Sequence, residues 1–494
     1  MAGHASTSQL LSWSARRHAG RVAVEGPQGT VTFARLADRV ARVAAGLRDL
    51  GLSPGDRVLD LQPNQNSSIE LDLATSWAGL VRVHLNYRLH ERDWARIAED
   101  SGATALVYDA RFADRAEFLR DAMPHVSIGD GPGASYEKLA DGPAMPAETR
   151  DLVSLNYTSG TTGNPKGVRR EHANRLAGAA AMAADVAPGL STADTYLHAG
   201  PITHTSGLFM LPCLAAGARQ LVLPAFDTGD LLEAVRERGA THTALVPTMI
   251  ARLLADPALD APLGLKMLAY AGAPMPPAHI REAHERITPA LVQYYGLVEA
   301  IPPITVLSPE DHRRGLDERP ELLTSAGRAA TGVELRIADD TGEALPPGEI
   351  GEVLVRGRAV MSGYWSGDSG ARPIRDGWLH TGDLGRIAPD GHLYLVDRKG
   401  DMIITGGYNV YPREVEEALA AAEGVEQVAV VGLADPEWGQ RIVAYYTGPA
   451  EESDVDAHAR RELASYKKPK EYRRLEAFPL NSTGKIDKKA LRAP

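Results

Sequence analysis

The chain has 494 residues, of which 44% are hydrophobic and 24% charged, enough for a large core and about two to four domains or subdomains. Its net charge of −11 argues against nucleic acid as the main partner, since phosphate backbones favour a broad basic surface. The single cysteine, Cys213, excludes a disulfide framework within the chain. No apolar run approaches the roughly 20 residues that span a bilayer, and no signal peptide is evident. We therefore expect a cytoplasmic protein with no membrane span.

The first two thirds of the chain alternate between strand and helix patterns. The hydrophobic spacing predicts strands at 57–61, 81–85, 220–223, 244–246 and 267–271, a turn and strand within 101–108, and helices at 32–47, 69–79, 231–238 and 248–254. Such alternation favours a layered α/β fold with largely parallel sheets.

The pattern changes after Ser325. Short strands at 334–338 and 351–356, followed by a hairpin around Asp390-Gly391, predict a small antiparallel β region. Beyond residue 401, a helix at 412–422, strands at 425–432 and 441–447 and a helix at 455–464 outline an α+β domain. We predict a large N-terminal domain over residues 1–398 and a smaller C-terminal domain over 399–494.

One loop carries the clearest chemical signal. Between Tyr157 and Gly167 the sequence reads Tyr-Thr-Ser-Gly-Thr-Thr-Gly-Asn-Pro-Lys-Gly. Glycines let backbone N–H groups approach a ligand, and the hydroxyls and Lys166 suit the acceptor oxygens of a polyphosphate. It is not the common mononucleotide loop, because Lys166 follows Pro165 and precedes Gly167. A flexible surface loop is the plainer alternative.

Five further segments gain meaning from their order, although each alone has an ordinary structural interpretation. An aromatic residue and an acid in 293–299 suit base stacking and Mg²⁺ binding, and a carboxylate after a Thr-Gly turn in 377–383 suits a ribose diol. The other three are a segment around a histidine at 201–207, an Arg- and Gly-containing junction at 397–412 and a glycine-presented lysine at 481–488.

Together these segments resemble the adenylate-forming superfamily of acyl-CoA synthetases, stand-alone adenylation enzymes and luciferases. The resemblance extends from Thr32 to Leu491, and its style is most similar to CoA ligases for medium- and long-chain or bulky acids. It implies that a carboxylic acid and ATP form an acyl-adenylate with Mg²⁺, and that the acyl group then passes to CoA. It also implies that the C-terminal domain is mobile and rotates between the two half-reactions.

The resemblance assigns roles to individual residues. The catalytic residues would be Lys485, Glu299 and His204, with Glu299 holding Mg²⁺, Lys485 bridging the reacting carboxylate and the α-phosphate, and His204 bordering the acyl pocket. The phosphate loop would use Thr158, Ser159, Gly160, Thr161, Thr162, Gly163 and Lys166. The remaining binding residues would be Ala271, Gly272 and Ala273 at the pocket floor, Tyr295 and Gly296 at adenine, Asp383 and Arg398 at ribose, and Gly406 and Gly407 at the pantetheine tunnel.

Two positions depart from the family pattern. Val298 stands where a Thr hydroxyl usually meets the α-phosphate or the carboxylate, and losing that hydrogen bond would cost about 1–3 kcal/mol if nothing replaces it. Gly400 stands at the hinge, where Asp or Lys is usual, and should widen the range of backbone angles there.

Several alternatives stay open. A carrier protein acting in trans is an alternative acceptor, and Val298 leaves room for an enzyme that performs only thioesterification. Apolar residues near 208, 210, 273 and 301–302 predict an uncharged, hydrophobic substrate tail. The basic run at 467–474 is either a solvated face or an attractor for the CoA 3′-phosphate. Similar enzymes are commonly homodimers.

Overall fold

A computed structural model of the chain describes residues 6–158, 165–366, 373–405, 408–480 and 486–492. The helices are α1 (Thr7–Arg17), α2 (Phe33–Asp49), α3 (Asn66–Trp77), α4 (Glu91–Ser101), α5 (Glu117–Arg120), α6 (Tyr136–Asp141), α7 (His172–Ala181), α8 (Met210–Ala216), α9 (Thr228–Arg236), α10 (Pro247–Ala255), α11 (Pro277–Arg286), α12 (Pro309–Asp317), α13 (Pro412–Ala420), α14 (Glu452–Glu462) and α15 (Lys488–Arg492).

The first strands are β1 (Val22–Gly26), β2 (Gly29–Thr32), β3 (Arg57–Leu61), β4 (Val81–His84), β5 (Ala105–Asp109), β6 (His125–Ile128), β7 (Ala134–Ser135), β8 (Leu152–Thr158), β9 (Lys166–Glu171), β10 (Thr195–His198), β11 (Arg219–Val222), β12 (His242–Leu245), β13 (Met267–Tyr270), β14 (Leu291–Tyr295), β15 (Thr305–Leu307) and β16 (Arg328–Ala329). The later strands are β17 (Val333–Ala338), β18 (Gly351–Gly357), β19 (Ile374–Arg375), β20 (Trp378–Ile387), β21 (Leu393–Arg398), β22 (Ile403–Thr405), β23 (Tyr408–Val410), β24 (Gln427–Asp435), β25 (Gly439–Thr447) and β26 (Glu471–Arg474).

Two compact units divide the chain. The first comprises Met1–Pro274, His279–Glu334 and Val355–Leu379, and the second comprises Met275–Ala278, Leu335–Leu354 and His380–Pro494. These units reflect how closely residues pack, whereas a hinge is the point about which one domain rotates. The boundary between residues 398 and 399 therefore stays a prediction.

The first unit contains two large, mostly parallel sheets. One has the strand order β7-β6-β5-β3-β4-β8-β9, in which the neighbours are parallel except for the antiparallel pair β8 and β9. The other has the order β16-β15-β14-β13-β12-β10-β11-β1-β2, with a parallel centre from β14 to β1 and antiparallel edges. The predicted α/β class is confirmed.

The second unit is α+β, as its sequence pattern predicted. Parts of β17, β18 and β20, with β21, form one sheet in which β20 and β21 are antiparallel. A second sheet has the order β23-β22-β25-β24 with β26 parallel to β25. Helices α13 and α14 cover an apolar core that includes Val415, Leu419, Val430 and Ile442. This core belongs to the C-terminal part of the chain and gives it its own hydrophobic stabilisation.

Helices α3 and α7 each place one charged residue, Asp72 and Arg175, at the lining of a cavity. Every residue of α3 from Asn66 to Ser76 is buried, so this helix exposes no polar face and places the charged Asp72 inside the protein. Helix α7 begins with a capping box in which the side chains of Glu171 and Asn174 satisfy free backbone N–H groups. It continues into a π-helical turn, Met182–Val186. Arg175 lies one turn into this capped helix.

Three buried histidines should make stability fall in mild acid. Burial lowers the pKa of His172, His198 and His312 to about 4 each, while unfolded histidine titrates near 6.5. As the pH falls from about 6.5 to about 4, the unfolded chain binds more protons than the folded chain, so the free energy of unfolding decreases. We expect the melting temperature, measured by calorimetry, to drop across this window.

A matched variant checks the cause. The ring of His312 lies 2.8 Å from the Tyr270 hydroxyl and 2.8 Å from the Ser308 carbonyl oxygen, so His312→Gln keeps polar groups there but removes the titration. This variant should show a shallower pH dependence than the unchanged chain. An equally steep dependence in both would assign the acid sensitivity to other groups.

Candidate active site

The phosphate loop leaves a buried strand and returns into its antiparallel neighbour. Thr158 ends β8 and pairs directly with Lys166, the first residue of β9. Residues 159–164, including Ser159, Gly160, Thr161, Thr162 and Gly163, lie outside the described residues. The hairpin register nevertheless places the two ends of the loop side by side, as a ligand-binding loop requires.

Glu299 and Lys166 flank one aromatic ring. The Tyr364 hydroxyl donates a hydrogen bond of 3.0 Å to Glu299 Oε1, and Lys166 Nζ lies 5.2 Å from the centre of the Tyr364 ring. Burial, reinforced by the Glu299 charge, raises the pKa of Tyr364, so its hydroxyl stays protonated and keeps donating. A carboxylate and an ammonium are thus held beside the loop, and Tyr364 is a site residue that the sequence reasoning missed.

Residues 357–365 connect the loop strand to the Glu299 segment. The Trp365 N–H donates to the Gly167 carbonyl at 2.8 Å, and the Met361 N–H donates to the Glu299 carbonyl at 2.8 Å. Isolated bridges join Val168 to Tyr364 and Ala300 to Val360. These backbone contacts hold Lys166 and Glu299 in one neighbourhood, although 132 residues lie between them in the sequence.

The predicted adenine and floor residues follow two adjacent parallel strands. Tyr295 ends β14, and Ala271, Gly272 and Ala273 follow β13 at the same edge of the sheet. Ligands of open parallel sheets bind at this carboxyl edge. Gly296 is needed for packing as well, because a Cβ there would approach Pro302 Cγ to 2.7 Å.

A cavity of about 60 Å³, partly open to solvent, lies in the same unit. His204 is exposed at its lining, immediately before the 3-10 turn Thr205–Phe209, and its Nδ1 lies 2.8 Å from the Thr203 hydroxyl. The apolar lining includes Leu208, Met210, Ile301 and Pro302, as the sequence predicted, but Ala273 does not line it. Charged and polar side chains that the sequence analysis did not place at the pocket also line the cavity, namely Asp72, Arg82, His84, Arg170 and Arg175, and the uncharged substrate tail stays a prediction.

Asp383 and Arg398 lie side by side in the second unit. They are register partners on β20 and β21, and Arg398 Nε donates to Asp383 Oδ1 at 3.0 Å. The predicted Thr-Gly turn before Asp383 is wrong, since Thr381 and Gly382 lie inside the ten-residue strand β20. The strand continues because the Thr381 hydroxyl donates to the Val353 carbonyl and stays within the sheet. Asp383 is buried and Arg398 exposed.

Other predicted residues divide into two groups. Gly406, Gly407 and Lys485 lie outside the described residues. In the basic run, Lys467 Nζ lies 2.5 Å from Glu414 and Lys468 Nζ lies 2.6 Å from Asp456. This pairing with acidic side chains favours a solvated face over an attractor for the CoA 3′-phosphate as the interpretation of that run.

The described part of the chain contains neither a preformed metal-binding cluster nor a membrane-spanning helix. Within it, no cluster of three or more His, Cys, Asp or Glu side chains is arranged to hold a metal ion. A single carboxylate such as Glu299 fits Mg²⁺, which takes most of its ligands from phosphates and water. None of the described helices is both long and apolar enough to cross a membrane. Burial raises the pKa of the Cys213 thiol, consistent with a packing role.

The α/β fold and the placement of Lys166 and Glu299 at one tyrosine agree with an adenylate-forming enzyme, and comparison with family models shows that class. The AMP-binding enzyme model matches residues 11–365, and the model of the AMP-binding enzyme C-terminal domain matches residues 414–485. The chain belongs to this family of adenylate-forming acyl-CoA ligases, which confirms the resemblance inferred from the motifs.

Individual relatives extend over nearly the whole chain. A feruloyl-CoA synthase from an Amycolatopsis species is 37% identical and an indoleacetate–CoA ligase from Aromatoleum aromaticum is 34% identical, each alignment covering 98% of both chains. The solved o-succinylbenzoate CoA synthetase from Bacillus subtilis, in complex with its acyl-adenylate intermediate, is 29% identical over 98% of both chains with a TM-score of 0.87.

Proposed function

We propose that the protein is an AMP-forming acid–thiol ligase that activates a carboxylic acid with ATP and transfers the acyl group to CoA. The observation that carries the proposal is the placement of Glu299 and Lys166 on one tyrosine beside the phosphate loop. Family membership over both domain models and the names of the relatives support the same reaction.

The first half-reaction joins two anions and therefore needs charge neutralisation and positioning. A carboxylate oxygen of the acid attacks the α-phosphorus of ATP, and the bond to pyrophosphate breaks. Lys166 and the phosphate loop would hold the β- and γ-phosphates, and Lys485 would balance the charge that develops between acid and α-phosphate. Tyr295, Asp383 and Arg398 would hold the nucleoside. These roles stay proposals.

Mg²⁺ would be held by Glu299 together with phosphate oxygens, and it would neutralise charge on the departing pyrophosphate. The hydrogen bond from Tyr364 orients the carboxylate for this task. Val298 supplies no hydroxyl near the α-phosphate, but its carbonyl accepts a 3.4 Å hydrogen bond from Arg170. A guanidinium is therefore bound to the backbone of the residue that replaces the usual Thr.

In the second half-reaction the CoA sulfur attacks the acyl carbon and AMP leaves. We infer that the C-terminal domain, residues 399–494, rotates so that Lys485 withdraws and the loop with Gly406 and Gly407 lines the thiol path. A carrier-protein thiol acting in trans is the alternative acceptor. A cytoplasmic location, where ATP and CoA are available, and a homodimer are further proposals.

A product assay tests the function. The protein is incubated with ATP, Mg²⁺ and a panel of carboxylic acids, with and without CoA, and the products are identified by mass spectrometry. Acyl-CoA that requires ATP supports the proposal. Acyl-adenylate without a CoA product points to the carrier-protein acceptor, and conversion of supplied acyl-adenylate alone identifies a thioesterification enzyme. The absence of every one of these products would overturn the proposal.

Gly400→Pro should separate the half-reactions. Proline fixes φ near −65° and also restricts the preceding residue, so a hinge at this position would be held in one state. We expect one half-reaction to be lost and the other to be retained, measured as adenylate formed from acid and ATP and as acyl-CoA formed from supplied adenylate.

Gly400→Ala is the matched control, because an added Cβ at this exposed position meets no heavy atom within 4 Å. It should leave both half-reactions close to those of the unchanged chain. Equal loss of both half-reactions in Gly400→Pro would contradict the hinge assignment.

A further inference from the structure

Asp100, in the last turn of α4, joins two segments that border the phosphate loop. The Tyr157 hydroxyl donates a 2.5 Å hydrogen bond to Asp100 Oδ2, and the Ser366 hydroxyl donates to Asp100 Oδ1. Tyr157 lies one residue before the end of β8, where the loop begins. Ser366 directly follows residues 357–365, which connect the loop strand to the Glu299 segment. The two oxygens of one carboxylate therefore bind two segments that are far apart in the sequence.

The ring of Tyr157 packs against the strand that leaves the loop. Tyr157 and Gly167 are register partners on β8 and β9, and a Cβ on Gly167 would lie 2.9 Å from Tyr157 Cζ and 3.0 Å from its hydroxyl oxygen. The ring therefore lies directly against the residue that follows Lys166. Burial first, and then the hydrogen bond to Asp100, raise the pKa of Tyr157, so its hydroxyl stays protonated and keeps donating. A bond at this hydroxyl fixes the described ends of the loop.

The hydrogen bond from Ser366 fixes the second segment. Ser366 lies two residues beyond Tyr364, whose hydroxyl donates to Glu299 at 3.0 Å. Trp365, between them, donates its backbone N–H to a carbonyl of β9 at 2.8 Å. Asp100 thus anchors the end of the segment that orients the Glu299 carboxylate.

The position of Asp100 is unfavourable for α4 itself. A carboxylate in the last turn of a helix lies near the negative end of the helix dipole and destabilises the helix. The last turn of α4 contains no basic residue, and the helix end is already capped by the backbone N–H of Gly102. Among the described residues, Asp100 binds two hydroxyls through its side chain and pairs with no cation. Its contacts therefore stabilise the segments beside the loop and not the helix that carries it.

We propose that Asp100 is a positioning residue for ATP, which holds the loop end at Lys166 and the segment that orients Glu299 in a fixed relation. This role rests on the proposed ligase function, in which Lys166 binds phosphate and Glu299 binds Mg²⁺. Asp100 acts through Tyr157 and Ser366. Because a polyphosphate is bound by several groups at once, a small displacement of the loop ends weakens several of its contacts together.

Asp100→Ala removes both hydrogen bonds at once. Alanine is the best helix former and the substitution also removes the unfavourable charge, so α4 should stay intact. We expect KM for ATP in acid-dependent pyrophosphate release to rise about 10-fold. KM for the acid, and the conversion of supplied acyl-adenylate to acyl-CoA, should stay within about 2-fold. Asp93→Ala is the matched control and should leave all three values unchanged, since Asp93 lies in the same helix and pairs with Arg96 at 3.9 Å on the surface.

Two variants that each remove one hydroxyl separate the two contacts. Tyr157→Phe releases the loop end and should raise KM for ATP. Ser366→Ala releases the segment that carries Tyr364 and should raise the Mg²⁺ concentration needed for half-maximal rate. Combined with Asp100→Ala, neither should add a further effect, because each acts through the same carboxylate. An unchanged KM for ATP in Asp100→Ala or in Tyr157→Phe, or an equal loss in all three measurements, overturns the proposal.

Failure of the ligase function is recognised separately. If no acid in the panel supports pyrophosphate release, binding of ATP with Mg²⁺ is measured by isothermal titration calorimetry. Binding that is weaker in Asp100→Ala than in the unchanged protein and in Asp93→Ala supports the positioning role even then. Equal or undetectable binding in the three proteins overturns it.

Discussion

Replacing Lys485 with alanine is expected to lower the rate of acyl-adenylate formation by about 10²- to 10³-fold, the usual cost of removing one preorganised group that stabilises transition-state charge. The ammonium would lie between two anions that must approach each other, so its contribution is greatest when the new bond forms. The rate is measured as pyrophosphate released in a single turnover with acid, ATP and Mg²⁺.

The same variant should spare the second half-reaction. Because Lys485 would leave the site before the thiol enters, conversion of supplied acyl-adenylate to acyl-CoA should stay within a few-fold of the unchanged rate, an order-of-magnitude expectation. Lys488→Ala is the matched control, since Lys488 Nζ lies 2.6 Å from Glu416 and has a surface partner of its own. Equal losses in the two half-reactions would remove Lys485 from the proposed role.

Glu299→Gln should slow adenylate formation by about 10²-fold and raise the Mg²⁺ concentration needed for half-maximal rate. The substitution keeps the size of the side chain and a hydrogen-bond acceptor for Tyr364, but removes the negative charge that a hard divalent cation requires. The measurement is a Mg²⁺ titration of pyrophosphate release at saturating ATP and acid.

Tyr364→Phe tests how the carboxylate is oriented. This variant keeps the ring beside Lys166 and removes the hydroxyl that donates to Glu299. One lost hydrogen bond predicts a decrease of roughly 10-fold or less in the rate of adenylate formation.

The Glu299→Gln prediction has its own contradicting outcome. An unchanged Mg²⁺ titration in Glu299→Gln would place the metal elsewhere.

The fold was largely predictable because local patterns and global architecture agree. The predicted strand at 57–61 coincides with β3, and the predicted strand at 267–271 matches β13. The predicted helix at 412–422 begins at Pro412, where proline suits a first helical turn. The loop, the Glu299 segment and the Asp383–Arg398 pair could be singled out from sequence because their chemistry requires particular residue types in a fixed order, and their roles stay predictions.

The charged lining of the cavity, such as Asp72 and Arg82, could not be predicted because it depends on tertiary burial. The alternation of residues 81–85 predicts a strand with one polar face, but β4 lies between β3 and β8 and buries Arg82. Asp72 lies in a helix that is buried along its length, a position where sequence patterns favour an apolar residue. The available signal was the presence of charged residues inside otherwise buried elements. Only the distances between these residues in the structure show that they form ion pairs.

Tyr364 shows the same limit. Nothing in its local sequence marks it as a partner of Glu299, since the contact depends on the backbone bridges of residues 357–365. The Thr381–Gly382 pair shows the opposite error, because turn-forming residues lie here inside a long strand that its neighbours complete.

Acyl-adenylate formation is measured directly by acid-dependent exchange of labelled pyrophosphate into ATP. We expect exchange that requires both the carboxylic acid and Mg²⁺, proceeds without CoA and is lost in Lys485→Ala. Formation of ADP and phosphate in place of AMP and pyrophosphate, or thioester synthesis without any exchange, would contradict it.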